Sequence, residues 1–291
     1  MPLAVALVER GCEVVGVDTD QRKLTALEAG QSYIEDIASE RLGAIGSKLY
    51  PSRRYADLAA CEAVIIAVPT PLTRNREPDL GPLVAAGTAL ANVLQQGQLV
   101  VLESTTYPGT TSEWLAPLLE ESGLAAGRDF NLAFSPERID PGRTDYTLRN
   151  TPKVVGGLTD ACLERAMALY STVCDEVVSV SSTEAAELTK LLENIFRSVN
   201  IALVNELAML CDRMKIDMGG RRGRGDEAVW VHVVSPGAGH GRPLPARGPV
   251  LSGLARARVR HPDRVHRARG RGKPGDALLL RREDRPCAQR L

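Results

Sequence analysis

Two positions in the sequence could hold a ligand at the end of a predicted strand. Asp18 follows the short β-rich run 12–17, and an acid at the end of the second strand of a dinucleotide-binding unit accepts hydrogen bonds from the adenosine ribose. Thr70 follows the apolar run 63–68, so its hydroxyl would lie at the sheet edge where α/β proteins bind ligands. Each pattern has a structural alternative, because an aspartate can cap a loop and Pro69-Thr70-Pro71 can simply end a strand.

A third position lies on a predicted helix. Lys190 and Asn194 are four residues apart, which places an ammonium group and an amide on one helix face. Apolar residues stand beside them at Leu191, Leu192 and Ile195. The spacing also fits an ordinary solvated face, so the residues alone leave both interpretations open.

Apolar runs and amphipathic segments alternate along the first 218 residues. The run 63–68 is typical of a strand buried on both faces of a parallel sheet. Repeated strand–helix units predict an α/β fold with a parallel sheet. We expect helices at 2–10, 22–29, 79–96, 110–122, 160–173 and 183–214, and strands at 12–18, 63–68, 99–103, 131–134, 153–155 and 176–180.

The net charge of zero hides two parts of opposite charge. Residues 219–291 contain 16 Arg and 1 Lys against 6 acids, a charge of +11 that leaves −11 on residues 1–218. This tail is rich in Gly, Arg, Pro and Ala, and such a composition cannot build a packed core. We therefore predict an irregular, disordered basic tail over 218–291.

Several functional classes are disfavoured by what the sequence lacks. It has no apolar run of the ~18 residues that a membrane helix needs and no signal-peptide pattern, which predicts a cytoplasmic protein without membrane partners. Its six cysteines show neither CxxC pairs nor His at ligand spacing, so we expect no metal site. The basic tail could neutralise phosphates, but Trp230 is its only aromatic residue, which disfavours nucleic-acid binding.

Several spaced motifs together carry a resemblance to a known family. They are Val17-Asp18, Val68-Pro69-Thr70-Pro71-Leu72 with the segment 76–80, Glu103-Ser104-Thr105-Thr106-Tyr107-Pro108-Gly109, Ser135-Pro136-Glu137-Arg138, and Ala186-Glu187-Leu188-Thr189-Lys190 with Asn194. In this order, over about residues 1–217, they resemble the UDP-glucose/GDP-mannose dehydrogenase family. The resemblance implies NAD-dependent oxidation of C6 of a UDP-sugar from alcohol to carboxylate through a catalytic cysteine. It also implies a homodimer formed through the long central helix.

The resemblance further implies roles for individual residues. Glu137 would handle protons and water around the covalent intermediate, although it could also be a loop carboxylate beside Arg138. Lys190 and Asn194 would stabilise developing oxyanions and orient the sugar. Thr105 would position the hydrolytic water. The implied cofactor-binding residues are Asp18, Lys23, Val68, Pro69, Thr70, Ser104 and Thr105.

The Ser-Pro-Glu-Arg segment also bears on the substrate. This segment is followed by Asp140-Pro141-Gly142, and the combination is similar to the sequence found in the bacterial branch that acts on UDP-N-acetylhexosamines. We therefore expect UDP-GlcNAc or UDP-ManNAc rather than UDP-glucose, and a product used in surface polysaccharide biosynthesis.

The fold that the resemblance implies is a doubly wound, Rossmann-like parallel sheet that lacks its first strand. We expect an NAD-binding domain over 1–180, a central dimerisation helix over 181–217 and the basic tail over 218–291. A helix of the length of 183–214 is unusual within one compact domain, so it is expected to link two domains.

Two family motifs are missing from the sequence. The glycine-rich loop would precede Pro2, and the Gly-Gly-His-Cys segment would fall where the chain reads Gly237-Ala238-Gly239-His240-Gly241. We expect a truncated start and a frameshift near Met218 to account for both. The prediction is an impaired enzyme that folds marginally and binds NAD weakly. A non-catalytic relative that binds a ligand or partner is the main alternative.

Overall fold

The structure is a computed structural model that describes residues 1–34, 37–71, 73, 78–138 and 147–216. By internal contacts the chain divides into two units, Met1–Phe196 and Arg197–Leu291. In the second unit the described residues are helical as far as Met214. The motif segments at 72, 76–77 and 140–142 and the basic tail lie outside the described residues.

Helices and strands alternate through the first unit. The helices are α1 (Pro2–Glu9), α2 (Gln21–Glu28), α3 (Ser39–Ile45), α4 (Gly81–Ala91), α5 (Ala116–Glu120), α6 (Asp160–Ser171) and α7 (Thr183–Met214). The strands are β1 (Val14–Val17), β2 (Leu49–Ser52), β3 (Ala63–Ile66), β4 (Leu99–Leu102), β5 (Asn131–Phe134), β6 (Lys153–Gly157) and β7 (Val177–Val180). Gly46–Lys48 and Tyr55–Ala60 form short 3-10 helices, and the π-helical turn Thr111–Leu115 leads into α5. The predicted α/β class is confirmed, whereas α3 and β2 were not predicted.

The strands form two separate sheets. β1 pairs in parallel with β2, and a five-stranded sheet has the order β3-β4-β5-β6-β7. No ladder joins β1 to β3 in the part of the chain that the structure describes, which agrees with a doubly wound sheet without a strand between its halves. Val15 and Val17 of β1 nevertheless pack against the hydrophobic cluster that contains Val64 and Ile66 of β3.

One strand pair departs from the parallel sheet that the sequence predicted. β5 and β6 are antiparallel, with Ala133 opposite Gly157 and Phe134 opposite Gly156, whereas the other described ladders are parallel. A parallel pair needs a long crossover, usually a helix. The described parts of this connection, 135–138 and 147–152, contain no helix. The prediction of a fully parallel sheet was wrong at this pair, and the described parts of its connection show no crossover helix of the kind that a parallel pair uses.

Apolar side chains cover both faces of the five-stranded sheet. On one face, Val100 and Leu102 of β4 belong to a cluster that includes residues of α4 and α5. On the other face, Val101 and Val155 pack with residues of α1 and α6. All four residues of β4 are buried, which explains why this strand reads as a continuous apolar run.

The start of α7 lies directly against β6. A Cβ atom at Gly156 would lie 2.1 Å from the carbonyl oxygen of Ser182, so only glycine permits this approach. The Ser182 hydroxyl accepts a hydrogen bond from the backbone N–H of Ala185 at 3.2 Å, as a helix cap does. The sheet therefore fixes the position of the helix segment that carries Lys190 and Asn194.

Candidate active site

Asp18 and Lys23 form an ion pair where β1 ends. Asp20 caps α2 by accepting from the Arg22 N–H at 3.0 Å, and the first turn of α2 brings the Lys23 Nζ within 2.8 Å of the Asp18 Oδ2. The Asp18 Oδ1 accepts from the Asp20 N–H at 2.8 Å. Burial acts to raise the pKa of Asp18, but the hydrogen bonds from Lys23 and Asp20 outweigh it and lower the pKa. Asp18 is therefore an ionised, partly exposed acceptor at neutral pH, which fits a ribose hydroxyl.

The loops that follow β3 and β4 are joined by two side-chain hydrogen bonds. The Ser104 hydroxyl donates to the carbonyl oxygen of Val68 at 2.7 Å. The Thr70 hydroxyl donates to the carbonyl oxygen of Thr105 at 2.6 Å. Thr70 and Ser104 are buried, whereas Pro69 is exposed and Thr105 is half-buried. Five predicted cofactor-binding residues thus meet at the carboxyl edge of the sheet, and two of their hydroxyls fix the loops to each other.

A buried charged cluster lies beneath these loops. Glu103 directly follows β4, and its Oε1 accepts from the Lys153 Nζ and from the Tyr170 hydroxyl, both at 2.7 Å. The Lys153 Nζ also donates to the carbonyl oxygen of Pro136 at 3.3 Å and lies 4.9 Å from the centre of the Tyr170 ring. Burial and then Glu103 raise the pKa of Tyr170 well above its usual value, so its hydroxyl stays a donor. The cluster connects the Ser104 loop to the segment that carries Glu137.

The segment that carries Glu137 is anchored on both sides. Before it, the Ser135 hydroxyl donates to the carbonyl oxygen of Val154 at 2.8 Å. After it, the Arg138 guanidinium donates to the carbonyl oxygen of Pro152 and pairs with the Glu193 carboxylate at 2.7 Å. Glu193 precedes Asn194 on α7, so this ion pair brings the Glu137 segment to the helix that carries the predicted catalytic residues Lys190 and Asn194.

Lys190 and Asn194 lie on a buried face of α7. Their exposed fractions are 7% and 2%, which contradicts an ordinary solvated face. The Asn194 Nδ2 is buried and has no hydrogen-bond partner among the residues that the structure describes. An orphaned buried donor is costly and is expected to meet an acceptor. This amide therefore has the chemistry to hold an oxygen atom of a bound ligand.

Besides Glu103, the carboxylate of Glu187 is buried, and it lies on α7 one turn before Lys190. The Glu187 Oε2 accepts from the Gly109 N–H at 2.6 Å, and its Oε1 accepts from the N–H and the hydroxyl of Thr111 at 2.8 and 2.7 Å. Burial raises the pKa of Glu187 to about 7, against the opposite effect of these hydrogen bonds. On the same helix, Glu184 accepts from the hydroxyl of Ser112.

Several of these residues carried no predicted role. Lys153 and Tyr170 were not singled out, and Glu103 and Glu187 appeared only as members of motifs. The available signal was a charged residue at the end of a buried strand, Glu103 after β4 and Lys153 at the start of β6. Charged residues are seldom fully buried unless they are paired, so such a position indicates a partner. The sequence does not show which partner.

In the part of the chain that the structure describes, no three side chains of His, Cys, Asp or Glu come together in an arrangement that could hold a metal ion. None of the helices in this part combines the length and the apolarity that crossing a membrane requires.

The sequence matches two family models. Residues 1–174 match the NAD binding domain of the UDP-glucose/GDP-mannose dehydrogenase family. Residues 184–242 match the central domain of the same family, so the similarity continues beyond residue 217, where the motifs had placed its end.

Individual proteins show the same similarity. The UDP-N-acetyl-D-glucosamine 6-dehydrogenase of Pseudomonas aeruginosa is 40% identical over 220 residues, which are 75% of this chain and 51% of that protein. The UDP-N-acetyl-D-mannosamine dehydrogenase of Yersinia pestis is 34% identical over 250 residues, 83% of this chain and 59% of that protein. The solved UDP-D-ManNAc dehydrogenase of Pyrococcus horikoshii superposes with a TM-score of 0.80 at 31% identity, covering 97% of this chain and 69% of that one. The chain thus spans little more than half the length of these curated relatives.

Proposed function

The chain belongs to the UDP-glucose/GDP-mannose dehydrogenase family, and we propose that it binds NAD and a UDP-N-acetylhexosamine and acts on C6 of that sugar. The product would be the uronate, for use in surface polysaccharide biosynthesis. The observation that carries this proposal is the buried face of α7 with Lys190 and the Asn194 amide, which has no hydrogen-bond partner among the described residues. Glu193 on the same helix pairs with Arg138 of the Glu137 segment.

The cofactor would bind at the carboxyl edge of the sheet. NAD supplies the hydride acceptor for the oxidation of an alcohol. Asp18 is ionised and partly exposed, so its carboxylate can accept hydrogen bonds from the adenosine ribose while Lys23 holds it in place. The loops of Val68 to Thr70 and of Ser104 to Thr105 would border the same cofactor, since α/β proteins bind ligands outside the carboxyl ends of their strands.

The sugar would lie between the Glu137 segment and α7. The Lys190 ammonium and the Asn194 N–H groups can stabilise negative charge that develops on a sugar oxygen. Glu137 can take up or release a proton at the reacting carbon's oxygen or at a water molecule, and Thr105 can orient that water. Lys190 and Asn194 are buried, so their charge and dipole act with little screening by bulk water.

The preference for a UDP-N-acetylhexosamine has two supports. The Ser135-Pro136-Glu137-Arg138 segment resembles the branch of the family that uses these sugars. The relatives compared above are named as dehydrogenases of UDP-N-acetyl-D-glucosamine and UDP-N-acetyl-D-mannosamine. UDP-glucose is the alternative substrate, and competition between the sugars would rank them.

The complete oxidation to the acid is proposed to be impaired. Family members use a cysteine nucleophile, and no cysteine lies between Cys211 and Cys287 in this sequence. Without a thiolate the aldehyde lacks its covalent route to the acid. We therefore expect ligand binding with little or no sustained NADH formation.

Calorimetric titration of the full chain with NADH and with UDP-N-acetylglucosamine tests this proposal. We expect Asp18→Asn to weaken NADH binding and Lys190→Met to weaken UDP-sugar binding, each by ~10-fold or more, because each removes a charge-assisted contact. Each variant should leave the other ligand unaffected. Glu164→Gln, an exposed change on α6, is the matched control. A cooperatively folded wild-type chain that binds neither ligand would contradict the proposal. UDP-sugar binding without sustained NADH formation is expected of an impaired enzyme and of a non-catalytic relative alike, and only the impaired enzyme should form NADH from NAD in a single turnover.

We also propose a homodimer through α7. Large apolar side chains remain exposed along this helix at intervals of three, four or seven residues: Leu188, Leu192, Phe196, Leu203, Leu207, Leu210 and Met214. An apolar stripe with this spacing is typical of a surface that packs on another helix. Light scattering should therefore show a dimer for the full chain and a monomer for Phe196→Glu combined with Leu203→Glu. A monomeric wild type at all concentrations would rule the dimer out.

A further inference from the structure

Glu187 is a buried titratable group that the proposed reaction does not use. Its exposed fraction is 0%, and its carboxylate accepts three hydrogen bonds from described residues: from the N–H of Gly109, the N–H of Thr111 and the hydroxyl of Thr111. Only an acceptor with two oxygens can receive all three in this geometry. The site therefore calls for the carboxylate form rather than for an amide or an apolar side chain.

The contacts of Glu187 lie at one end of the loop that carries Thr105. Gly109 and Thr111 end this loop and open the helical segment that continues into α5. At the other end of the loop, Glu103 is held by Lys153 and Tyr170. Two buried carboxylates therefore fix the two ends of the segment 103–111.

Glu187 connects this loop to the helix face of the candidate active site. It precedes Lys190 by three residues and Asn194 by seven, so the three side chains share one side of α7. The backbone of Gly109 has φ +90°, a conformation that glycine adopts without strain. The turn therefore presents its N–H to Glu187 without the penalty that another residue would add.

We propose that Glu187 is a positioning residue that fastens the Thr105 loop to the Lys190 and Asn194 face of α7. Its role in ligand binding rests on the function proposed above, whereas the attachment of the loop does not. Replacing the carboxylate by an amide would direct an N–H group toward a donor. Glu187→Gln therefore keeps the shape of the side chain and removes at least one of the three hydrogen bonds.

Hydrogen exchange of backbone amides in the full chain tests the attachment itself. In Glu187→Gln the amide of Gly109 or of Thr111 should exchange ~10-fold faster or more, since a lost bond to a charged acceptor opens the local structure. Ser135, whose N–H donates to the carbonyl oxygen of Leu102, is the internal reference and should be unchanged. Glu184→Gln is the matched variant, because Glu184 lies on the same helix and contacts the adjacent Ser112. Unchanged exchange at both Gly109 and Thr111 would overturn the proposal.

The pH dependence of UDP-N-acetylglucosamine binding tests the positioning role. Between pH 6 and pH 8 the wild-type affinity should rise as Glu187 ionises, because its pKa is about 7 and the ionised form accepts all three donors. Glu184 is the charged neighbour that adds to this pKa, so Glu184→Gln should keep the rise and move its midpoint slightly downward. In Glu187→Gln the profile should be flat.

Two negative results have different meanings. A parallel rise in wild type and Glu187→Gln would overturn the positioning role. If the wild type binds no UDP-sugar, the proposed function fails, and the exchange measurement alone decides whether Glu187 fastens the loop.

Discussion

Glu103 and Glu187 are both buried and hold the two ends of the same loop, but their charges are balanced differently. Glu103 accepts from the Lys153 ammonium and the Tyr170 hydroxyl. Within the described part of the chain the donors to Glu187 are uncharged, and burial raises its pKa to about 7. Hydrogen bonds from uncharged donors can therefore occupy both oxygens of a buried carboxylate and still not offset the hydration that it loses on burial. A neighbouring cation offsets that loss by direct attraction.

The largest loss of stability is expected when the Lys153 ammonium group is removed. Lys153→Met leaves the Glu103 carboxylate buried without its counter-charge, so the free energy of unfolding should fall by about 3–5 kcal/mol. Urea denaturation at neutral pH measures this loss.

The matched control for that change is the double variant Lys153→Met with Glu103→Gln. It removes both charges and should recover much of the stability, because no unpaired charge remains buried. If the double variant is no more stable than Lys153→Met alone, the loss comes from packing and the ion pair is not its cause.

The second effect is a pH dependence of the free energy of unfolding that comes from Glu187. Its pKa rises from 4.5 to about 7 on folding. The folded chain therefore binds the proton more tightly, and the stability that this supplies is complete below pH 4.5 and is lost as the pH rises to about 7. The loss amounts to about 3 kcal/mol.

Denaturation at pH 5 and pH 8 in wild type and Glu187→Gln isolates this contribution, since other titrating groups cancel in the difference. Glu184, whose pKa is lowered mainly by hydrogen bonds that outweigh its burial, would act in the opposite direction and is common to both proteins. An equal change with pH in the two proteins would show that Glu187 ionises normally.

The smallest losses of stability are expected from removing one hydroxyl group that donates to each of the two carboxylates. Tyr170→Phe should lower the free energy of unfolding by about 2 kcal/mol, because the hydroxyl donates to a charged acceptor at a fully buried position. Thr111→Val should cost about 1 kcal/mol, because the backbone N–H of residue 111 continues to donate to Glu187. A larger loss in Thr111→Val than in Tyr170→Phe would reverse this ranking of the two sites.

The main helices and strands could be predicted because their apolar patterns are local. The fully buried strand β4 and the long helix α7 occur close to the expected positions. β2 was missed because Leu49–Ser52 is short and contains Pro51, which is rare in strands. The antiparallel pairing of β5 and β6 was missed because pairing depends on the connection between two strands and is not visible in either strand.

The sequence by itself determined the class of the fold, the order of its main helices and strands, and the motifs that indicate the family. It also placed Lys190 and Asn194 on one helix face, because helical periodicity follows from spacing alone. Only the tertiary structure decided that this face is buried, that the Asn194 amide lacks a partner among the described residues, and that Glu103 meets Lys153 fifty residues away. Burial and the pairing of distant charges depend on how the elements pack, and no local pattern encodes that packing.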